Sequence, residues 1–319
     1  MPDPPTFRSR PRRVHVIINP APLKRLPLLS ILNDAFRAAG IAWDVSLTHA
    51  TGDGLRLARE ALTREIDAMI VYGGDGTVME VASALVGLEV PLLILAGGTG
   101  NLVAAEMRLP SQVEKCLDLL EGEKFATRSI DVGMMGETPF LLRLGCGIEV
   151  GVVQDATREL KNQWGKWAYV FAGIKQLQET PEADYRLTMD GGRVVEATGV
   201  ACVVANVGTV GVGKLTLAPS VAANDGQLDV FLLKKANIEG ILQLASKMVG
   251  LDKFVEETVP RLDVSSQVTH WSVESVKIET EPVLDIQVDG DVIAETPQAI
   301  RILPRSLEVI VPFHSRDAN

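Results

Sequence analysis

The chain has 319 residues, 46% hydrophobic and 23% charged, with a formal charge of −10 at pH 7. Such a composition describes a soluble globular protein, and the length makes two domains the natural division. The acidic balance argues against general nucleic-acid binding, which draws on a basic surface. No uninterrupted apolar run reaches the roughly 18 residues of a membrane span. Arg143 and Glu149 break the most apolar stretch, so any membrane contact is expected to be peripheral.

Met1 to Arg13 is rich in Pro and Arg and has no apolar segment before Val14, so a solvated arm is expected there rather than a secretory signal. Val14 to Ile18 then forms an apolar strand, and Leu28 to Ala39 has helical spacing closed by Gly40. Ala42 to Leu47 is a second strand and Gly54 to Leu62 a second helix. Ala68 to Tyr72 is a buried strand that runs into glycines, with Val78, Val81, Ala82 and Leu85 at helical spacing behind it. Leu92 to Ala96 is a further strand, and Val113, Cys116, Leu117 and Leu120 line one helix face. Alternating strands and helices imply a doubly wound parallel sheet over residues 1–130, with ligands expected beyond the carboxyl ends of its strands.

The character changes after Asp131. Tyr185, Leu187 and Met189 alternate with polar residues before the turn Asp190-Gly191-Gly192, and Leu228, Val230 and Leu232 point to one face of another strand. Val276 and Ile278 alternate, as do Leu284, Ile286 and Val288 ahead of Asp289-Gly290. Residues 131–299 are thus expected to form an antiparallel β-sandwich or barrel domain. Two helical stretches are inserted in it, Arg158 to Leu177 and the run marked by Ile238, Ile241, Leu242 and Ala245. In the first, Trp164, Trp167, Tyr169 and Phe171 among Lys161, Lys166 and Lys175 suit a membrane-interfacial surface or a domain core equally. Residues 300–319 are expected to pack back on the first domain.

The chemistry concentrates in two glycine-rich corners. Gly73-Gly74-Asp75-Gly76-Thr77 lies between a buried strand and a helix start, where missing Cβ atoms and exposed N–H groups suit a phosphate. Gly97-Gly98-Thr99-Gly100-Asn101 follows the next strand and leads into Leu102 to Glu106. Two such corners at successive strand ends suit a nucleotide phosphate cradle. Neither is a Walker A loop or a Rossmann GxGxxG, so ordinary dinucleotide redox chemistry is disfavoured. Cys116, Cys146 and Cys202 are far apart without metal-ligand spacing, and His15, His49, His270 and His314 are scattered. Buried thiols in a reducing compartment are expected, with no catalytic or zinc role for these groups.

Gly73 to Thr77 together with Gly98-Thr99-Gly100-Asn101 resembles the diacylglycerol kinase catalytic domain, especially the bacterial lipid kinases related to diacylglycerol and sphingosine kinases. The resemblance spans nearly the whole chain. Val16-Ile17-Ile18-Asn19-Pro20 is similar to the family's first strand and its Asn-Pro, and Thr48 lies where a nucleotide-contacting Thr is expected. Lys161 to Tyr169 is similar to a Lys-x-x-x-Gly-x-x-x-Tyr segment. Ala218-Pro219, Asn224-Asp225-Gly226 and Leu228-Asp229 resemble the second-domain motif, and Asp289-Gly290-Asp291 stands at the late Asp-Gly-Glu. Leu303-Pro304 precedes a terminal strand ending at Pro312.

The resemblance implies a lipid kinase that uses ATP and Mg²⁺ to phosphorylate a lipid hydroxyl of diacylglycerol, phosphatidylglycerol or sphingoid type. Asn19, Thr48, Gly73, Gly74, Asp75, Gly76, Thr77, Thr99 and Asn101 would contact the nucleotide. Asp75 would orient a Mg²⁺ ion directly or through water; taken alone, it reads as a cap on the following helix. Asp225, with the backbone oxygens of Ala222 and Gln227, would hold a Mg²⁺ ion. Asp291 would accept the proton of the lipid hydroxyl. Two departures stand out: Ala21-Pro22-Leu23-Lys24-Arg25 carries no glycine after Asn-Pro, and Asp291 is one methylene shorter than the family Glu.

Cytoplasmic location is expected, with peripheral contact at the inner membrane face and a homodimer admitted. Two alternatives are a kinase of a soluble substrate like NAD kinase, which shares the first corner, and a lipid- or nucleotide-binding regulator that has lost catalysis.

Overall fold

The computed structural model describes residues 5–21, 26–147, 180–207, 223–235, 269–289 and 291–313. The chain divides into two compact units, Met1–Val132 with Leu303–Asn319, and Gly133–Ile302. Among the described residues no helix is long and apolar enough to cross a membrane.

The first unit is built on strands β2 (Arg13–Ile18), β3 (Ala42–Leu47), β4 (Ala68–Gly73) and β5 (Leu92–Ala96), in the parallel order β3-β2-β4-β5. Val16 lies opposite both Val45 and Ile70, and Val71 opposite Ile94. Continuous apolar runs in β2, β4 and β5 are buried along nearly their whole length, as a sheet covered on both faces requires. The covering helices are α1 (Leu28–Ala39), α2 (Asp53–Leu62), α3 (Asp75–Leu85), α4 (Leu102–Glu106) and α5 (Val113–Leu117). Helix α1 ends as its sequence anticipates: Gly40 adopts φ 66°, and Ile41 N–H bonds to Phe36 O. The predicted buried faces of α3 and α5 are all inside, Leu120 on a 3₁₀ turn that prolongs α5.

Two expectations for this unit are corrected. Residues 6–9 are not a free arm; they form β1 (Thr6–Ser9), which pairs antiparallel with β6 (Lys124–Met135), Phe7 opposite Ala126. The terminal strand does not begin after Leu303-Pro304 but at Gln298, as the thirteen-residue β17 (Gln298–Ile310), whose end runs parallel to β5 with Val309 opposite Leu92. Pro304 is carried inside it because Arg305 turns to φ 50° and gives its N–H to the buried Asp131 carboxylate.

The second unit holds β7 (Thr138–Phe140), β8 (Arg143–Cys146), β9 (Ala183–Met189), β10 (Arg193–Gly199), β11 (Ala201–Ala205), β12 (Leu228–Leu233), β13 (Thr269–Val273), β14 (Ser275–Glu281), β15 (Asp285–Val288) and β16 (Asp291–Glu295). One antiparallel sheet has the order β13-β12-β11-β8-β15-β16. Facing it are β10-β9-β14 and the first residues of β17. Tyr185, Leu187 and Met189 from one layer and Leu228, Val230 and Leu232 from the other meet in a single core, which makes the unit a β-sandwich. In β12 the opposite face is buried as well, through Asp229, Phe231 and Leu233. Leu284 stands outside β15. The two expected inserted helices lie outside the described residues.

The three cysteines and three of the four histidines lie among the described residues. Cys116 is buried, which pushes its thiol up to about 12. Cys146 and Cys202 are buried neighbours across β8 and β11. His15 is buried beside Ser46 Oγ, and that burial lowers its basicity. His49 is exposed in the loop after β3, and His270 packs on Phe231 and bonds Asp229.

Candidate active site

In the order β3-β2-β4-β5 the chain reverses direction between β2 and β4, and ligands of open parallel sheets settle at such a switch point. The segments that leave these two strands are Asn19-Pro20-Ala21 and Gly74 to Thr77. A side chain joins them: Asn19 Nδ2 donates to Thr77 Oγ1 at 2.9 Å, while Asn19 Oδ1 accepts from Ala21 N–H at 2.9 Å. Thr48, at the end of β3, is buried, and its N–H bonds to Ile18 O.

Helix α3 begins at this junction with Gly74 as its N-cap, which has no side chain to bond the first N–H groups. The helix therefore presents Asp75, Gly76 and Thr77 N–H at its positive end, a ready site for an anion. Gly76 stands at the second position of α3. It is exposed, and a Cβ there would meet nothing within 4 Å. No packing contact requires a glycine there, and open space against the backbone suits a bound group.

The second corner packs onto the first. Gly97 N–H bonds to Gly73 O at 2.9 Å, and a Cβ on Gly98 would stand 2.6 Å from Gly74 Cα. Asn101 stabilises the turn through its own side chain, taking Gly98 N–H at 2.8 Å and giving to Gly98 O at 2.6 Å. It does so in the left-handed conformation, φ 53°, which asparagine tolerates better than most residues. Thr99 is exposed at the tip. Asp75 is not a cap on its own helix. Its Oδ1 accepts Val103 N–H at 3.3 Å and its Oδ2 lies next to Gly100, so the carboxylate ties the two corners together.

Asp225 and Asp291 precede or begin strands β12 and β16 of the six-stranded sheet. Asp225 is exposed and takes Gln227 N–H at 3.0 Å in a tight turn in which Gly226 has φ 74°. Ala222 lies outside the described residues. Asp291 is exposed at the start of β16. From β12 to β16 the sheet order counts four strand spacings, roughly 19 Å at about 4.8 Å each. Asp225 and Asp291 therefore do not share one ion. Among the described residues no group of three or more His, Cys, Asp and Glu side chains is arranged around a common point.

Two residues to which the sequence assigned no role of their own organise these elements. Glu80, five residues beyond Asp75 on α3, grips the start of α2. Asp289, in the turn before Asp291, accepts N–H groups of Leu141, Leu142 and Arg143 at 3.1, 3.2 and 2.8 Å and returns its own N–H to Arg143 O. Burial pushes its carboxyl up against those three donors. The Asp-Gly dipeptide was the legible signal, since Asp tolerates the left-handed region that Asp289 adopts at φ 48°. Replacing Asp289 by Ala strands three partly buried donors; we expect a loss of about 2–3 kcal/mol, read as a drop of several degrees in the thermal midpoint. An unchanged midpoint would show that water replaces the carboxylate at no cost.

Comparisons agree with this architecture. Residues 13–135 match the diacylglycerol kinase catalytic domain, and residues 144–311 match the YegS C-terminal NAD kinase beta sandwich-like domain. A Pseudomonas fluorescens protein named "Probable lipid kinase YegS-like" is 31% identical over 88% of this chain and 90% of its own. An uncharacterized Synechocystis protein is 32% identical over 82% of this chain, which spans 59% of that protein's length. The crystal structure of a diacylglycerol kinase from Bacillus anthracis superposes with a TM-score of 0.76 at 26% identity, covering 96% of this chain and 98% of that one. A parallel-sheet unit with paired glycine corners and a β-sandwich unit, together with these matches, place the protein in a kinase family. The chain belongs to the diacylglycerol kinase family, in its YegS-like lipid kinase branch.

Proposed function

We propose that the protein transfers the γ-phosphoryl group of ATP to the hydroxyl of a lipid of diacylglycerol, phosphatidylglycerol or sphingoid type, with Mg²⁺. The observation that carries this reading is the uncapped start of α3 at the switch point, with open space over Gly76 and a second corner pressed against it. Asn19, Thr48, Gly73 to Thr77, Thr99 and Asn101 would hold the nucleotide. Its base and sugar would occupy the adjoining apolar hollow of about 480 Å³ lined by Ile18, Pro27, Leu29, Leu47 and Tyr72.

Phosphoryl transfer is catalysed mostly by positioning and charge neutralisation, which backbone N–H groups and a cation supply together. Magnesium, which keeps several waters and uses few carboxylates, would be held by Asp75 at the phosphate corner, and by Asp225 with the backbone oxygens of Ala222 and Gln227 in a separate loop. The ion would neutralise phosphate charge. Asp291 would take the hydroxyl proton. Peripheral contact at the inner membrane face would give access to the lipid, and a homodimer is compatible with this reading.

A regulator that binds without catalysis is the second reading, motivated by Asp291 standing exposed with the shorter carboxylate. Labelled phosphate transfer from ATP, run over a panel of lipid vesicles and over NAD, separates the cases. Transfer to a lipid supports the proposal. Transfer to NAD alone or ATP binding without any transfer would overturn it, in favour of a soluble-substrate kinase or a regulator respectively.

A further inference from the structure

We infer that Glu80 is a positioning residue for the phosphate corner, locking α3 to the loop that carries Thr48, with Gly54 as the other half of the lock. The inference rests on the proposed nucleotide role of that corner. Helix α2 has Gly52 at its N-cap, with φ 87° and no side chain to bond the helix's first N–H groups. Glu80 supplies that cap from α3. Its Oε1 accepts Gly52 N–H at 2.7 Å and its Oε2 accepts Gly54 N–H at 2.8 Å. Both are short, charge-assisted bonds to the positive end of a helix.

Gly54 is shaped for this contact. It is buried, and a Cβ there would stand 2.7 Å from Glu80 Oε2 and 2.8 Å from Glu80 Cβ. A side chain at residue 54 would force the carboxylate off both N–H groups.

The lock reaches the site from two sides. Glu80 and the corner residues Asp75 to Thr77 belong to one helix, so holding Glu80 fixes how α3 is turned about its axis and where its first N–H groups point. On the other side, Gly52 closes the loop from Thr48. Inside that loop Asp53 Oδ2 takes His49 and Ala50 N–H at 2.8 and 3.0 Å, its carboxyl pushed down to about 2 by the Arg56 guanidinium and these donors. Asn19–Thr77 and Asp75–Val103 tie the corner through residues of the site. Glu80 acts through others.

The test compares wild type, Glu80→Gln, Gly54→Ala and the double variant by amide hydrogen exchange and by calorimetric titration with ATP in magnesium buffer. Gln offers one acceptor and sets an NH₂ against the other N–H group. We expect exchange at Gly52 and Gly54 to accelerate at least tenfold in each variant and the Kd for ATP to rise about tenfold. The double variant should be no worse than the worse single one, because both break the same contact. In turnover the KM for ATP should rise while the KM for lipid stays fixed, a split that loss of folded protein does not produce. Faster exchange with ATP affinity within twofold of wild type, or unchanged exchange, would overturn the inference. Wild type that fails to bind ATP would overturn the proposed function and this inference with it; binding that neither variant alters would overturn the inference alone.

Discussion

Replacing Asp75 by Ala should lower phosphoryl transfer by about a thousandfold, the scale on which single preorganised electrostatic groups act, while leaving a folded protein. The carboxylate stands at the first position of α3 beside the proposed phosphate cradle, and it is also the bond that holds the second corner to the first through Val103 N–H. Alanine removes both the charge and the tie. Asp75→Asn separates them, because its carbonyl oxygen still accepts from Val103 while the charge is gone. If charge next to the phosphates is what matters, Asn should be as inactive as Ala; if the tie matters, Asn should recover most of the rate. Alanine retaining more than a tenth of wild-type kcat would remove Asp75 from the machinery.

The second large effect should come from Asp291→Asn, which keeps shape and removes the proposed base. General-base catalysis contributes about 10²–10⁴-fold, and a loss in that range is expected in kcat with little change in the KM for ATP. Asp291→Glu is the informative companion. The residue is exposed at the start of β16, so a longer side chain is accommodated, and it should retain or raise activity if reach limits the natural carboxylate. A fully active Asp291→Asn beside a dead Asp75→Ala would reassign the base to Asp75.

What the residues disclosed follows from how locally each feature is determined. Strands β2, β4 and β5 are buried on both faces, so their apolar runs were legible without any knowledge of their neighbours, and Gly40 marked the end of α1 to the residue. Strand β1 was missed because Thr6 to Ser9 is short and mostly exposed, and only pairing with β6 makes it a strand. Pro304 read as a break because a proline inside a strand removes a ladder bond; what lets β17 pass through it is the Asp131 carboxylate, remote in sequence. The glycine corners were legible for the same reason as the strands. Their ties were not. Asn19 to Thr77, Glu80 to Gly52 and Gly54, and Asp289 to Leu141 through Arg143 are tertiary contacts whose partners no spacing rule selects.

The chain leaves the first unit at Val132 within β6 and returns to it at Leu303 within β17, so the sandwich unit is an insertion in the parallel-sheet unit. During synthesis the inserted unit has all its residues by Ile302. The first unit does not, because the strand that lies along β5 is made last. Until then β5 carries an unpaired parallel edge of the kind that invites wrong partners. Shortening the C-terminus to before Val309 should therefore injure the N-terminal unit first, and residues 1–132 expressed alone should be a poor folding unit however well their sequence matches a catalytic domain.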